Sequence, residues 1–178
     1  MYKLGPVHQG IFERGVKTGS DSYIMLEAHA GPFSLIMGHH DSHFDTSELP
    51  FSYILEEAGK TMLIPAVNFQ TVGTQRDSQK WPKRDKRNGN NHTDHIIFDL
   101  LNPYTVLKRA KGFEVLTTLS EKSADIYNYK NVKIRSLFAV KGIKIYQAAI
   151  NYYLGLKMAV KFKSGIDLSL LRPTYDIE

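Results

Sequence analysis

The sequence predicts an α+β chain in which β-structure comes first and helices follow. Three observations support this order: a six-residue period in residues 16–38, a hairpin pattern in residues 51–64, and helical patterns from residue 93 onward. A length of 178 residues with 42% hydrophobic content is enough for a domain with its own core. We expect a β region over 1–75, a basic loop over 76–92, a helical region over 93–163 and a tail over 164–178.

The six-residue period gives two tracks, one mostly of small residues and one mostly of aliphatic residues. The tracks are Val16, Ser22, Ala28, Ser34 and Thr18, Ile24, Ala30, Ile36. The end of a left-handed β-helix needs such tracks, because its short strands turn a corner every six residues around a narrow interior. Ordinary antiparallel strands satisfy the same test, since six is a multiple of the strand period of two. Both interpretations remain open on periodicity alone.

Residues 51–55 and 61–64 predict a β-hairpin. They are rich in residues that favour strands, and the link from Glu56 to Lys60 contains Gly59, a turn signal. Pro50 and Pro65 stand at the two outer ends, where strands tolerate proline.

The second part of the chain predicts three helices. Residues 91–94 offer N-cap chemistry for a short helix that ends before Asn102. Asn102 as N-cap with Pro103 at the first helical position then predicts a second helix. Its predicted buried stripe contains Val106, Leu107, Ala110 and Phe113, with Leu116 or Thr117 beyond them, and its predicted outer side holds Lys108, Arg109 and Lys111. A third helix over about 133–162 is apolar over a wide arc, which indicates two packing surfaces or a subunit interface.

The most cationic stretch, residues 76–87, lies at the joint between the two parts and contains the only tryptophan. Six basic side chains stand there against two aspartates, a local balance of +4. Arginine forks bind phosphates with paired hydrogen bonds, and an indole ring stacks on a base or a sugar. We therefore predict that an anionic ligand binds Arg76, Lys80, Trp81, Lys83, Arg84 and Arg87. The alternative is a solvated loop in which Trp81 fills the joint between the two parts.

Charge and composition restrict the partners without naming one. The formal charge is +5, and the basic excess falls in residues 71–178, so a nucleotide-sugar, coenzyme A, nucleic acid or an acidic protein face would meet that part. The absence of cysteine excludes disulfides, thiolate zinc sites and cysteine nucleophiles. No signal-peptide core and no apolar run of about 20 residues is present, so we expect a cytoplasmic protein without a membrane span.

Several familiar site patterns are missing or weak. The chain has no dinucleotide-binding, Walker or nucleophile-elbow glycine pattern. His39, His40 and His43 form a cluster with Asp41 and Asp45 that resembles a metal-ligand set. Because the predicted location is a loop, where such spacing has little meaning, we predict no metal. The sequence does not identify a cofactor.

Three stretches together are similar to one known family. They are Gly5-Pro6-Val7-His8-Gln9-Gly10 with Glu13-Arg14-Gly15-Val16-Lys17, then Leu49-Pro50-Phe51-Ser52-Tyr53, then Thr71-Val72-Gly73 with Arg76-Asp77 and Lys80-Trp81-Pro82-Lys83-Arg84-Asp85. They resemble the C-terminal part of a bacterial family of unassigned chemistry built on left-handed β-helix coils of the hexapeptide-repeat type. Some of its members carry the label UDP-N-acetylglucosamine pyrophosphorylase-related. The resemblance covers roughly residues 1–160.

The resemblance implies a left-handed β-helix, a transferase-like function and self-association, for which the trimer common among hexapeptide proteins is the expected form. In hexapeptide acyltransferases a histidine acts as general base, which implies that role for His8 with Glu13 as its orienting carboxylate. A hexapeptide prism has many coils, so we expect either upstream coils before Met1 or a short stand-alone relative. The glycine-rich signature of sugar-nucleotidyltransferases is absent, which argues against pyrophosphorylase activity in this chain.

The sequence thus favours a transferase-like module that binds a nucleotide-sugar or an acyl-CoA-type anion. One alternative is a non-catalytic assembly domain whose helices mediate oligomerisation. A second is single-stranded nucleic-acid binding through Trp81, which would weaken steeply with salt.

Overall fold

The N-terminal part of the chain consists of short strands that pair in parallel. The computed structural model describes residues 9–87 and 99–163. The first six strands are β1 (Ile11–Phe12), β2 (Lys17–Thr18), β3 (Tyr23–Ile24), β4 (His29–Ala30), β5 (Leu35–Met37) and β6 (His39–His40). β1 pairs with β4, β2 with β5 and β3 with β6.

The main sheet joins two of these strands to two hairpins. The first hairpin is β7 (Tyr53–Glu57) with β8 (Lys60–Ile64), which confirms the hairpin predicted over residues 51–64. The second is β9 (Ile126–Tyr129) with β10 (Val132–Arg135). The order is β2-β5-β7-β8-β10-β9, with parallel pairs between β2, β5 and β7 and between β8 and β10.

The prediction of an α+β fold with a left-handed β-helix is wrong. The structure is mixed α/β with a mixed sheet and three α-helices, and no left-handed β-helix is evident in residues 9–87 and 99–163. After β6 the chain forms an antiparallel hairpin, and a second hairpin from far along the chain extends the same sheet. The six-residue period marks buried positions only in its second half. Ala28, Ala30, Ser34 and Ile36 are at most 1% exposed, whereas Val16, Ser22 and Ile24 are partly buried and Thr18 is exposed. A period that is a multiple of two identifies such positions without specifying a prism.

A short 3-10 helix (Val67–Gln70) leads into α1 (Val72–Arg84), which occupies most of the predicted basic loop. The prediction of a loop over residues 76–92 is therefore wrong for residues 76–84. Pro82 stands in the last turn of α1 and lacks the amide that would donate to the Ser78 carbonyl oxygen, and the helix ends two residues later at Arg84. The placement of the charged residues along a helix decides which of them can share one surface.

The second predicted helix is confirmed as α2 (Pro103–Ser120), and its N-terminus has the expected chemistry. The Asn102 side chain accepts a hydrogen bond from the Thr105 amide, and the Thr105 hydroxyl accepts one from the Asn102 amide. The helix predicted over residues 91–101 lies mostly outside the described residues, as does the tail over 164–178.

The third helix is observed as α3 (Ser136–Lys163), so the predicted helix over 133–162 is confirmed except at its start. Residues 132–135 belong to β10 instead, which means that the region 93–163 is not purely helical. Val132 and Ile134 are buried with Lys133 between them, the alternation of a strand. None of the described helices has the length and apolar composition needed to cross a membrane.

One core connects the strands to the helices. Ile36, Ile54 and Leu63 from the sheet pack in the same buried cluster as Leu116 of α2 and Tyr146 of α3. The Tyr146 hydroxyl donates to the Pro50 carbonyl oxygen at 2.7 Å, which satisfies its polar atom inside the core. Two predictions for α2 are wrong: Arg109, predicted on its outer side, is fully buried, and Leu107, predicted in its buried stripe, is exposed.

Candidate functional site

A cavity of about 820 Å³ lies between the N-terminal strands, α1 and the start of α2. Residues 13–15, Lys17 and Phe33 form its wall on the strand side. α1 and the residues that follow it contribute Thr74, Asp77, Ser78, Trp81, Arg84, Asp85, Lys86 and Arg87, and the remaining lining residues are Leu100 and Tyr104. The lining contains five cationic side chains and three carboxylates, a formal net of +2. A cavity of this size and charge suits a small anionic molecule.

One face of α1 forms the largest wall of the cavity. Thr74, Trp81 and Arg84 lie at helical spacing along this face, and the Trp81 side chain remains half exposed to the cavity. Arg76, Lys80 and Lys83 do not line the cavity, because their spacing of four and three residues places them together on another face. The helix thus divides the basic stretch into cavity residues and surface residues.

The start of α1 is fixed by the buried side chain of Asn68. Its amide nitrogen donates to the Phe33 carbonyl oxygen at 2.6 Å, and its oxygen accepts from the hydroxyls of Thr71 and Thr74, each at 2.9 Å. Nearer the middle of the helix, Lys17 donates to Asp77, and this hydrogen bond lowers the pKa of Asp77. These contacts hold α1 against the strand side of the cavity.

Glu13 connects the strand wall to α2. Its carboxylate is almost fully buried and accepts hydrogen bonds from the Tyr104 hydroxyl, from Lys108 Nζ at 2.9 Å and from His29 Nε2 at 2.9 Å. Burial, together with the hydrogen bond to Glu13, raises the pKa of Tyr104 to about 12. The Arg14 guanidinium carbon lies 4.7 Å from the centre of the Tyr104 ring, a cation–π distance. Glu13 therefore positions an aromatic ring and, through that ring, a cation of the cavity wall.

The turn that carries Arg14 is shaped by a close contact. Gly15 has a φ of +70°, and a Cβ atom at this position would overlap the Phe33 ring. Phe33 in turn stacks on Phe51 with ring centres 4.9 Å apart. A glycine at residue 15 thus lets the strand wall lie directly against an aromatic stack.

Some cationic side chains of the cavity wall are already paired with carboxylates, and others are not. Arg87 donates to Asp85 through Nε at 2.8 Å and through Nη2, while Lys17 is paired with Asp77. Arg84 and Lys86 make no ion pair with any residue in the described part of the chain, 9–87 and 99–163. Their charges are the ones most accessible to an anion.

The structure brings some of the predicted site residues together and separates others. Glu13, Trp81, Arg84 and Arg87 line the cavity, whereas Arg76, Lys80 and Lys83 do not, and His8 lies outside the described residues. In the described part of the chain, the histidine that contacts Glu13 is His29. Sequence reasoning missed Arg14, Lys17, Lys86 and Tyr104 as cavity residues. Of these, Arg14 and Lys17 could have been found from the sequence, because they lie in the stretch around Glu13 that carried the family resemblance.

The histidine cluster is divided between different environments. His40 is fully buried and lies 3.0 Å from the Thr61 hydroxyl, while His39 faces Asp21 and His43 faces Glu27 at the surface. Within residues 9–87 and 99–163 no group of three potential ligands is close enough to hold a metal ion.

The fold and the cavity define a mixed α/β protein with a cationic, aromatic-lined site. The family model described as Domain of unknown function (DUF4954) matches residues 1–120, and the chain therefore belongs to this family. All the residues that line the cavity fall within the matched range. Neither the curated proteins nor the solved structures gave a match. The likeness to hexapeptide-repeat transferases stays a prediction.

Proposed function

We propose that the cavity binds an anionic small molecule with a flat ring, of the nucleotide-sugar or acyl-CoA type. The observation that supports this most directly is the pairing of Trp81 with Arg84, one helical turn apart on the cavity face of α1. The indole offers a stacking surface, and the guanidinium beside it offers paired donors for a phosphate. Arg14, which stacks on Tyr104, adds a second guanidinium to the same cavity.

Binding fits the cavity residues better than proton transfer does. The Glu13 carboxylate already accepts from three donors, so it positions Tyr104 and Lys108 and is poorly placed to remove a proton from a ligand. A Tyr104 pKa of about 12 keeps the phenol protonated near neutral pH, where it donates its hydrogen bond. Transferase activity, a role for His8 and a cytoplasmic location stay predictions.

A thermal-shift panel tests the proposal. It contains nucleotide-sugars, coenzyme A, free nucleotides, inorganic phosphate and short oligonucleotides, each at low and moderate salt. A ligand that binds only the folded state raises the melting temperature by mass action. We expect selective stabilisation by a compound that has both a ring and a phosphate, and this stabilisation should persist at moderate salt.

Two results would contradict the proposal. Stabilisation by oligonucleotides alone, lost steeply with salt and indifferent to base, would favour nucleic-acid binding. Equal stabilisation by inorganic phosphate and by every nucleotide would show that the Trp81 ring contributes nothing to recognition.

A further inference from the structure

The second half of α3 extends beyond the core of the protein. Residues Ala139, Gly142, Ile145, Tyr146 and Ala149 of α3 are buried, and none of residues 150–163 is. Fourteen helical residues span about 21 Å, which is half the length of this helix. Because most helical stability in proteins comes from tertiary packing, a segment with so little burial is a candidate for packing against another surface.

The side chains of this segment are mostly large and apolar. Six of them are between 45% and 66% exposed: Tyr152, Leu154, Leu156, Met158, Val160 and Phe162. At 100° per residue they cover, together with Gly155 and Ala159, an arc of about 240° around the helix. Lys157 and Lys161 lie in the remaining sector. A helix that packs on a single surface has a much narrower apolar stripe, of the order of 100°.

The width of the arc and the charges indicate what covers it. An arc this wide needs neighbours on at least two sides, which neither one groove nor a flat lipid surface supplies. α3 contains five lysines and no aspartate or glutamate, and Lys157 already lies 5.4 Å from the centre of the Tyr153 ring. Lys157 and Lys161 are therefore outside the apolar arc. Lys163, the last residue of α3, is the one charged side chain of residues 150–163 that falls within it.

Two further observations agree with a helix bundle made of identical copies. The six exposed side chains offer roughly 600 Å² of surface per chain, close to the 800 Å² or so that each partner buries in a stable complex. A Cβ atom at Gly155 would meet nothing within 4 Å, so no contact with another residue of 9–87 or 99–163 explains a glycine inside the helix. Within the arc, Gly155 allows a neighbouring helix to approach closely.

We propose that residues 150–163 of α3 pack against the same segment of further copies of this chain. In such a bundle each helix has neighbours on both sides of its arc, and the lysine sector faces water. This proposal is independent of the cavity, and α3 lies outside the range that the family model matches.

The test compares two neighbouring substitutions in the full 178-residue chain. Leu156→Glu places a carboxylate inside the arc, and Lys157→Glu places one in the lysine sector. Sedimentation equilibrium over a wide range of concentration should show an oligomer for the wild type and for Lys157→Glu. For Leu156→Glu the association should be at least tenfold weaker. Circular dichroism should show the same helix content in both variants at concentrations where each is monomeric, because the segment lies outside the core.

Gly155→Ala provides a second readout that does not add charge. Alanine favours the helix over glycine, so a helix without neighbours would become more stable. In a closely packed bundle the added methyl group should instead weaken association. A wild-type chain that stays monomeric at every concentration would overturn the proposal. So would equal association of Leu156→Glu and Lys157→Glu, or a monomer that binds vesicles of anionic lipid.

Discussion

Arg109 is a charged residue in the core, and its replacement tests how α2 packs on the N-terminal part of the chain. Its guanidinium carbon lies 4.2 Å from the centre of the Phe51 ring and 3.9 Å from that of Phe69. Nη2 donates a long hydrogen bond of 3.5 Å to the Leu100 carbonyl oxygen. In the part of the chain that the structure describes, Nε and Nη1 have no hydrogen-bond partner. We predict that Arg109→Met preserves stability and that Arg109→Ala does not.

The magnitudes follow from the two rings and the buried charge. Burial lowers the pKa of Arg109 from its usual value to about 10, and such a shift corresponds to roughly 3 kcal/mol against the charged form. A desolvated cation–π contact contributes about 2 kcal/mol, so contacts with two rings, about 4 kcal/mol together, offset this cost with a small surplus. Methionine removes both effects and keeps an apolar stem between the rings. Alanine also removes the stem, and the resulting cavity costs about 3 kcal/mol.

Urea unfolding, followed by circular dichroism, measures both variants. We expect the free energy of unfolding of Arg109→Met to lie within about 1 kcal/mol of the wild type, and that of Arg109→Ala to be about 3 kcal/mol lower. Lys111→Ala, on the exposed side of α2, is the control for loss of a positive charge. If methionine destabilises the protein as much as alanine, the charge itself is required and the packing argument is refuted.

Two further predictions concern the buried histidine and the glycine of the cavity wall. Burial lowers the pKa of His40 below 6.5, so below that pH the unfolded chain takes up the proton first. The contribution of neutral His40 to folding stability, which is complete above pH 6.5, is therefore lost as the pH falls. Between about pH 7 and pH 5 the urea midpoint should drop less in His40→Gln than in the wild type. An equal drop in the two proteins would contradict this prediction. Gly15 and Gly59 have nearly the same positive φ, but a Cβ would overlap Phe33 only at Gly15. By calorimetry, Gly59→Ala should cost about 1 kcal/mol and Gly15→Ala about 2 kcal/mol more; equal costs would show that the Phe33 contact does not matter.

The parts of the fold that the sequence predicts correctly depend on neighbours along the chain. The hairpin of β7 and β8 follows from a turn signal between two strand-like runs. The start of α2 follows from Asn102 and Pro103, whose capping chemistry is complete within four residues. The alternation of buried and exposed side chains in a strand is an equally local signal. The strand at residues 132–135 was missed only because a longer helical pattern follows it.

The parts that were predicted wrongly depend on distant residues. A charged residue on a helix is expected to face water, and nothing near Arg109 in the sequence shows that Phe51 and Phe69 enclose it. The cavity wall likewise depends on contacts between residues that are far apart in the sequence. Trp81 and Arg84 are recognisable in a basic stretch, but Tyr104 becomes a cavity residue only because Glu13, 91 positions away, accepts its hydrogen bond.

The most direct test of the proposed binding site uses the fluorescence of Trp81, the single tryptophan of the chain. The wild type, Arg84→Ala and Lys83→Ala are titrated with the compound that gives the largest selective thermal shift. Both variants lose one positive charge from the same end of α1, but only Arg84 lines the cavity. Loss of charge-assisted hydrogen bonds of about 1.5–3 kcal/mol predicts a dissociation constant at least tenfold higher for Arg84→Ala. For Lys83→Ala we expect little change, and equal weakening in the two variants would contradict a ligand bound in this cavity.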